Sequence, residues 1–330
     1  KTYAQGSGGV FSTTSGTSWG PKISELPNDA TYGGNTDNEY TQKFGKQQGK
    51  YYVPQRAAAG LDPWATPQAY DNAKDFFDTG ITWSNSLNVA QMLDKSSYSI
   101  SLGNTHQDGI ISSTGMDRYN VKVSADTKLT NNWSSGFTAN YITTSIDKAV
   151  TSGNGLLRTV YAAPPSYDLA GIPSHVDGNP YTQNSFRGSF DNAYWAMDNN
   201  KFTEDTNRFF GNVYASYQTD FGTTNHKLNA KYMVGVDAYT THYVDSYGYG
   251  SNTGGGRGQI ENYGWTNATY NSLLTINYDW RINEDWGLNA VLGNEIIQSN
   301  RKKYYEYGTN YNFPGWNHIN NATTQQTEEE

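Results

Sequence analysis

Gly16-Thr17-Ser18-Trp19-Gly20 has the G-x-S-x-G spacing of a serine-hydrolase elbow. That elbow needs a buried strand before it and a helix after it. Here a Ser/Thr-rich stretch precedes it and Pro21 follows, so the spacing reads as loop. Gly254-Gly255-Gly256-Arg257-Gly258 is glycine-rich but lacks the Lys-Ser/Thr of a phosphate loop. The histidines, at 106, 175, 226, 242 and 318, are dispersed, with no H-x-x-x-H pair to seed a metal site. Glu204-Asp205 and Glu284-Asp285 fall beside or within turns, where solvated acids are ordinary. No nucleophile constellation emerges, so the sequence does not read as an enzyme, and no cofactor or metal is expected. What remains is a set of aromatic and cationic residues in long connections: Trp64, Tyr194, Trp195, Tyr247, Tyr249, Arg257, Trp265 and Trp316. Ring faces flanked by amides can stack on sugar rings or peptide side chains. The competing reading is that these residues pack the connections against one another.

The composition narrows the elements that could position such residues. The chain has 330 residues and a net charge of −8, with 23 Lys+Arg against 31 Asp+Glu. Nucleic-acid binding needs a basic face, so that class is excluded. Cysteine is absent, which removes disulfides and thiolate chemistry. Charged residues are 16%, below the roughly 25% of ordinary soluble proteins. Aromatics reach 15%, with 27 Tyr, so the chain is too rich in rings to be disordered. No apolar run approaches the ~18 residues of a membrane helix. This leaves open a barrel, whose strands show only alternation. The acidic tail Glu328-Glu329-Glu330 reads as a solvated end.

Residues 1–80 are broken by Gly and Pro and read as loop, with one short helix near 71–77, Asp71 as its N-cap and Gly80 beyond its end. From about 81 the period becomes two. Tyr119, Val121, Val123 and Ala125 alternate with Asn120, Lys122 and Ser124; a turn at 130–132 follows; then Phe137, Ala139 and Tyr141 return. The pattern recurs at 209–217 with 228–238, and at 270–278 with 286–292, after a weaker pair at 83–91 and 97–106. Eight strands are predicted between 81 and 298. Many exceed the ~5–6 residues usual in soluble sheets. Short turns at 92–96, 130–132, 220–225 and 281–285 alternate with long connections at 148–204, 242–264 and from 299 onward. That sorting matches an outer-membrane barrel, with short periplasmic turns and long extracellular loops.

The apolar face of the six clearest strands carries no charge. The opposite face carries Lys122, Arg208, Lys227, Lys231 and Glu295, which are expected to face a lumen. A soluble sheet with one face in a core would also alternate. Strand length, loop sorting and the strand-end aromatics Trp133, Tyr141, Tyr217, Trp280 and Trp286 favour the membrane.

Several segments then carry a resemblance. They are Ser18-Trp19-Gly20-Pro21; Asp75-Phe76-Phe77-Asp78-Thr79-Gly80; Asn104-Thr105-His106-Gln107-Asp108-Gly109; Asp117-Arg118-Tyr119-Asn120; Lys128-Leu129-Thr130-Asn131-Asn132-Trp133; Asn192-Ala193-Tyr194-Trp195; and Asn207-Arg208-Phe209-Phe210-Gly211. In this order and spacing, from about residue 18 to 322, the chain resembles the barrel of SusC/RagA-type TonB-dependent outer-membrane transporters of Bacteroidetes. The resemblance implies a 22-stranded barrel around a plug, pulled on by the TonB complex and covered by a SusD-like lipoprotein lid. Such pairs import oligosaccharides or peptides. No plug and no TonB-box segment is found in this sequence, so it reads as an internal, incomplete piece, with 299–330 as a further extracellular loop. The alternative is a self-sufficient eight-stranded barrel acting as an adhesin or structural protein. A closed small barrel must pair its first strand with its last, and a transporter segment must not.

Overall fold

The computed structural model describes residues 2–150, 155–222 and 225–329. One antiparallel sheet of nine strands dominates it. The strands are β1 (Thr82–Met92), β2 (Ser96–Asp108), β3 (Gly115–Lys128), β4 (Trp133–Lys148), β5 (Lys201–Thr219), β6 (His226–Tyr247), β7 (Gln259–Arg281), β8 (Gly287–Tyr311) and β9 (Ala322–Glu329). Each strand pairs with its neighbour in sequence, so the order along the sheet is the order along the chain. β1 and β9 are the edges and share no ladder. The sheet is therefore open. Among the described residues no helix is long and apolar enough to cross a membrane.

Connections sort by length with one exception: 109–114 is no longer than 220–225. Short turns at 93–95, 129–132, 220–225 and 282–286 lie at one end, and 109–114, 149–200, 248–258 and 312–321 lie at the other. Positions 223–224 of the third turn and 151–154 of the longest loop fall outside the described residues. The turns are held by side chains of the type the sequence offers. Asn283 Oδ1 accepts from the backbone N–H of Asp285 and Trp286, and Thr130 Oγ1 from those of Asn132 and Trp133.

The strand count and ends need correction. The eight expected strands are present, a ninth follows them, and 299–330 is not a single loop. β8 runs on to Tyr311, and β9 returns with Glu328 opposite Tyr305 and Glu329 opposite Tyr304. The acidic tail is thus strand through Glu329; Glu330 lies outside the described residues. Residues 201–204, 242–247 and 259–264, expected in loops, are also strand. The physical reason is common to all. On β8 the outward positions change from Leu288, Ala290, Leu292 and Ile296 to Lys302, Tyr304 and Glu306. Backbone pairing continues there, but the apolar-polar alternation that reveals a strand does not.

Residues 2–80 and 155–200 build a lobe at the long-loop end, and there lies the larger apolar core found among the described residues. Leu26, Phe76, Val160, Leu169 and Phe186 are among its buried members, with Ile111 of the β2–β3 connection tying it to the sheet. The two segments interlock through polar bonds. Gln5 N–H donates to Ser166 Oγ, the Tyr51 hydroxyl to Ser166 O, and Asn72 Nδ2 to Pro164 O. The expected helix is present as α3 (Asn72–Phe76). Asp71 stands at its N-cap without a side-chain capping bond. The sequence reading missed α1 (Glu39–Phe44), which has an Asn38–Thr41 capping box, and α2 (Pro54–Ala58). It also missed α4 (Leu156–Ala162) and α5 (Ala193–Asn199) in the long insertion.

Candidate functional site

The cross-strand register assembles the two faces of the sheet. Val89, Ile100, Val123, Ala139, Gly211, Val236 and Tyr270 form one row through seven strands. The next row carries Tyr98, Ala125, Phe137, Val213 and Val234. Most of these side chains are exposed; Val89 is at 61% and Tyr270 at 50%. A soluble monomer seldom exposes an apolar patch beyond a few hundred Å², and this one crosses the sheet. On β6 the apolar stripe runs from Leu228 to Ala238. At ~3.4 Å per residue and a tilt near ~45°, such a stripe covers roughly 25 Å, the height of the apolar band of outer-membrane barrels. Aromatic rings gather at its short-turn end. Trp133 packs on Tyr217 at 5.0 Å, and His226 on Trp280 at 5.7 Å.

The other face is polar. Lys122, Arg208, Lys227, Lys231 and Glu295 all stand on it, as the register of their rows requires. Arg208 makes a two-pronged ion pair with Asp237 of the next strand, at 2.8 and 2.5 Å. Lys231 lies 4.2 Å over the ring of Tyr214, and Glu295 accepts from Asn271. Tyr214 in turn donates to Asp126 at 2.6 Å. These residues are drawn from five strands, so the polar face is knit across the sheet.

The eight loop candidates do not converge. Trp64 is buried at 6% exposure against Tyr52, and Trp195 is fully buried, its indole N–H donating to Pro180 O. Both are packing groups in this structure and offer no ring face to a ligand. Tyr194 packs on Phe76, and burial, then Asp75, raises the pKa of its phenol. Tyr247 packs on Phe202, Tyr249 packs against the small cluster around Ile260 and Tyr311, and Arg257 donates to Tyr311 O. Tyr249 and Arg257 belong to the 248–258 loop and Tyr247 precedes it, and Gly250 of that loop comes close to the Trp195 ring. Trp316 lies apart, stacked with Phe313 and His318 and exposed. Trp265 sits on β7, on the polar face, beneath Arg301.

The residue that organises the loops was not singled out from sequence. The buried Asp191 carboxylate accepts from Gln183 Nε2, Ser251 Oγ and the Asn252 N–H, which pins the 248–258 loop to the 149–200 insertion. A cavity of about 410 Å³ opens beside it, walled in part by Lys148, Met197, Phe202 and Tyr247. A lone Asp between Phe190 and Asn192 carries no sequence pattern that would mark it.

No family profile matches the sequence, and no curated protein matches it. Among solved structures the chain is similar to the RagAB peptide importer in its closed-closed state, with TM-score 0.63 and 16% identity over 79% of this chain and 30% of that chain. The RagAB peptide transporter gives TM-score 0.63 and 14% identity over 80% and 30%. The open-open state of the importer gives 0.59 and 13% over the same shares. The chain spans 30% of the length of these importer chains. At such identities the likeness concerns architecture: the nine strands have the fold of a β-barrel segment.

Proposed function

We propose that this chain is part of a TonB-dependent outer-membrane importer of oligosaccharides or peptides that works with a SusD-like surface lipoprotein. The observation that carries the reading is the exposed apolar face. It is continuous across the strands, close to the height of a barrel's lipid band, and backed by a charged face. Such a surface is stable against lipid and unstable against water. The likeness to RagAB importer chains supports transport, and the resemblance of the quoted segments to SusC/RagA-type barrels supports the lipoprotein partner and TonB coupling.

In this reading the polar face lines a lumen that holds a plug, and the lobe of residues 2–80 and 155–200 lies outside the cell. Lipid offers no hydrogen bonds to an open strand edge. β1 and β9 therefore pair with other strands of the same wide barrel. The small-barrel alternative requires ladder bonds between the first and last strands, and the order of the sheet counts against it.

The test is uptake by living cells. Cells lacking the intact gene should lose energy-dependent uptake of one fluorescent oligopeptide or oligosaccharide pool, and an uncoupler should produce the same loss in the parent. Unchanged uptake of every pool would refute the importer reading.

A further inference from the structure

Near the long-loop end of the polar face lies an aromatic ladder for which transport alone gives no reason. Tyr243 and Tyr263 stand opposite each other on β6 and β7 and stack at 4.8 Å, with planes 7° apart. Tyr305 of β8 extends the row at 6.5 Å, and Trp265 packs on Tyr243 at 5.5 Å. Two of the rings already hold cations. Lys148 Nζ lies 4.6 Å from the Tyr243 centroid, and Arg301 Cζ lies 4.9 Å from that of Trp265.

One row closer to the loops, Asp245 stands directly opposite Glu261. Like charges at opposed ladder positions weaken a sheet, so sheet stability does not explain this pair. The Tyr263 hydroxyl donates to Asp245 Oδ2 at 3.1 Å, which couples the carboxylates to the ring row. An independent observation lies at the other end of the ladder, two rows from the carboxylates and against Tyr243. The indole N–H of Trp265 is buried and has no acceptor among the described residues. A buried donor is ordinarily paired, and a peptide carbonyl is an acceptor of the kind it lacks.

We infer that this row binds a cationic group of a peptide, an ammonium or guanidinium, between the rings of Tyr263 and Tyr305 and the carboxylates of Asp245 and Glu261. The electron-rich ring faces attract a cation and the paired acids supply its counter-charge. The inference rests on the importer reading and narrows its substrate class to peptides carrying positive charge.

The test uses the intact transporter purified in detergent with its partner chains. Binding of tri-lysine, of N-acetyl-trialanine amide and of maltotriose is measured by calorimetry. Tri-lysine should bind at least about tenfold tighter than the neutral peptide. Glu261→Gln and Tyr305→Leu should each weaken tri-lysine by roughly three- to tenfold and leave the neutral peptide unaffected. Heat-modifiable migration on gels confirms that each variant is folded, and the second variant serves if one fails. Equal affinity for the two peptides, or wild-type affinity in the folded variants, overturns the inference and leaves the importer reading standing. Binding of maltotriose without either peptide also overturns it. If no probe binds and cells lacking the gene import normally, the importer reading fails and the inference falls with it.

Discussion

Val213 and Val234 stand directly opposite each other on β5 and β6, in the interior of the sheet, and are 53% and 42% exposed. Their neighbours along the row are Phe137 on one side and Ser272, then Ile296, on the other. No second layer covers them. A soluble sheet would place such a pair in its core; in the importer reading proposed above they face lipid.

Val234→Arg should therefore impair assembly. An arginine on the lipid face near the bilayer midplane costs about 2–4 kcal/mol in an outer-membrane barrel. Lys122→Ala, on the polar face, should change stability by no more than about 0.5 kcal/mol. The amount of folded, heat-modifiable protein in outer-membrane fractions reads both. Equal yields for the two variants would remove the lipid assignment.

The sorted connections give a topology that can be labelled directly. The chain has no cysteine, so a single replacement is a unique handle within these 330 residues. Arg257→Cys lies in the 248–258 loop and Glu284→Cys in the 282–286 turn, and both native side chains are exposed. A membrane-impermeant maleimide added to intact cells should label position 257 and spare 284. Labelling of 284 alone would invert the barrel.

The strands were legible where one face meets an apolar medium and the other a polar one. Leu228 to Ala238 alternates without interruption and was found; Thr240 to Tyr247 continues the same strand and was not. In that upper part both faces are polar, and period two has nothing to mark. β9 is the extreme case. Its sequence, Ala-Thr-Thr-Gln-Gln-Thr-Glu-Glu, is polar after Ala322 and owes its conformation to pairing with β8. The charges of the polar face were legible for the same reason as the strands. The loop aromatics were not, because a tryptophan looks alike in sequence whether it is buried, as Trp195 is, or exposed, as Trp316 is. Burial there is decided by contacts such as Trp195 with Pro180 and Gly250, which lie 15 and 55 positions away.

Two buried tyrosines in the lobe should respond oppositely to loss of their hydroxyls. Tyr51 and Tyr167 are each 3% exposed. The Tyr51 hydroxyl donates to Ser166 O at 2.9 Å, and the Tyr167 hydroxyl has no partner among the described residues, although its ring packs on Phe186 at 5.2 Å. Tyr51→Phe removes a satisfied bond and should cost about 0.5–1.5 kcal/mol. Tyr167→Phe removes a buried unpaired group and should be neutral or stabilising by up to about 1–3 kcal/mol. Burial pushes both phenols well above the ordinary tyrosine range, with Tyr70 adding to the effect on Tyr51 and Asp168 to that on Tyr167. The folded lobe thus keeps protons that the unfolded chain releases near pH 10. Their contribution to stability is complete below about pH 10 and declines as pH rises from there through the higher folded values. Protease resistance of the lobe, followed from pH 8 to 11 in detergent, should fall above pH 10 in the parent and fall less steeply in Tyr167→Phe. If Tyr167→Phe is less resistant than Tyr51→Phe at pH 8, the Tyr167 hydroxyl has a partner after all and the argument from its isolation fails.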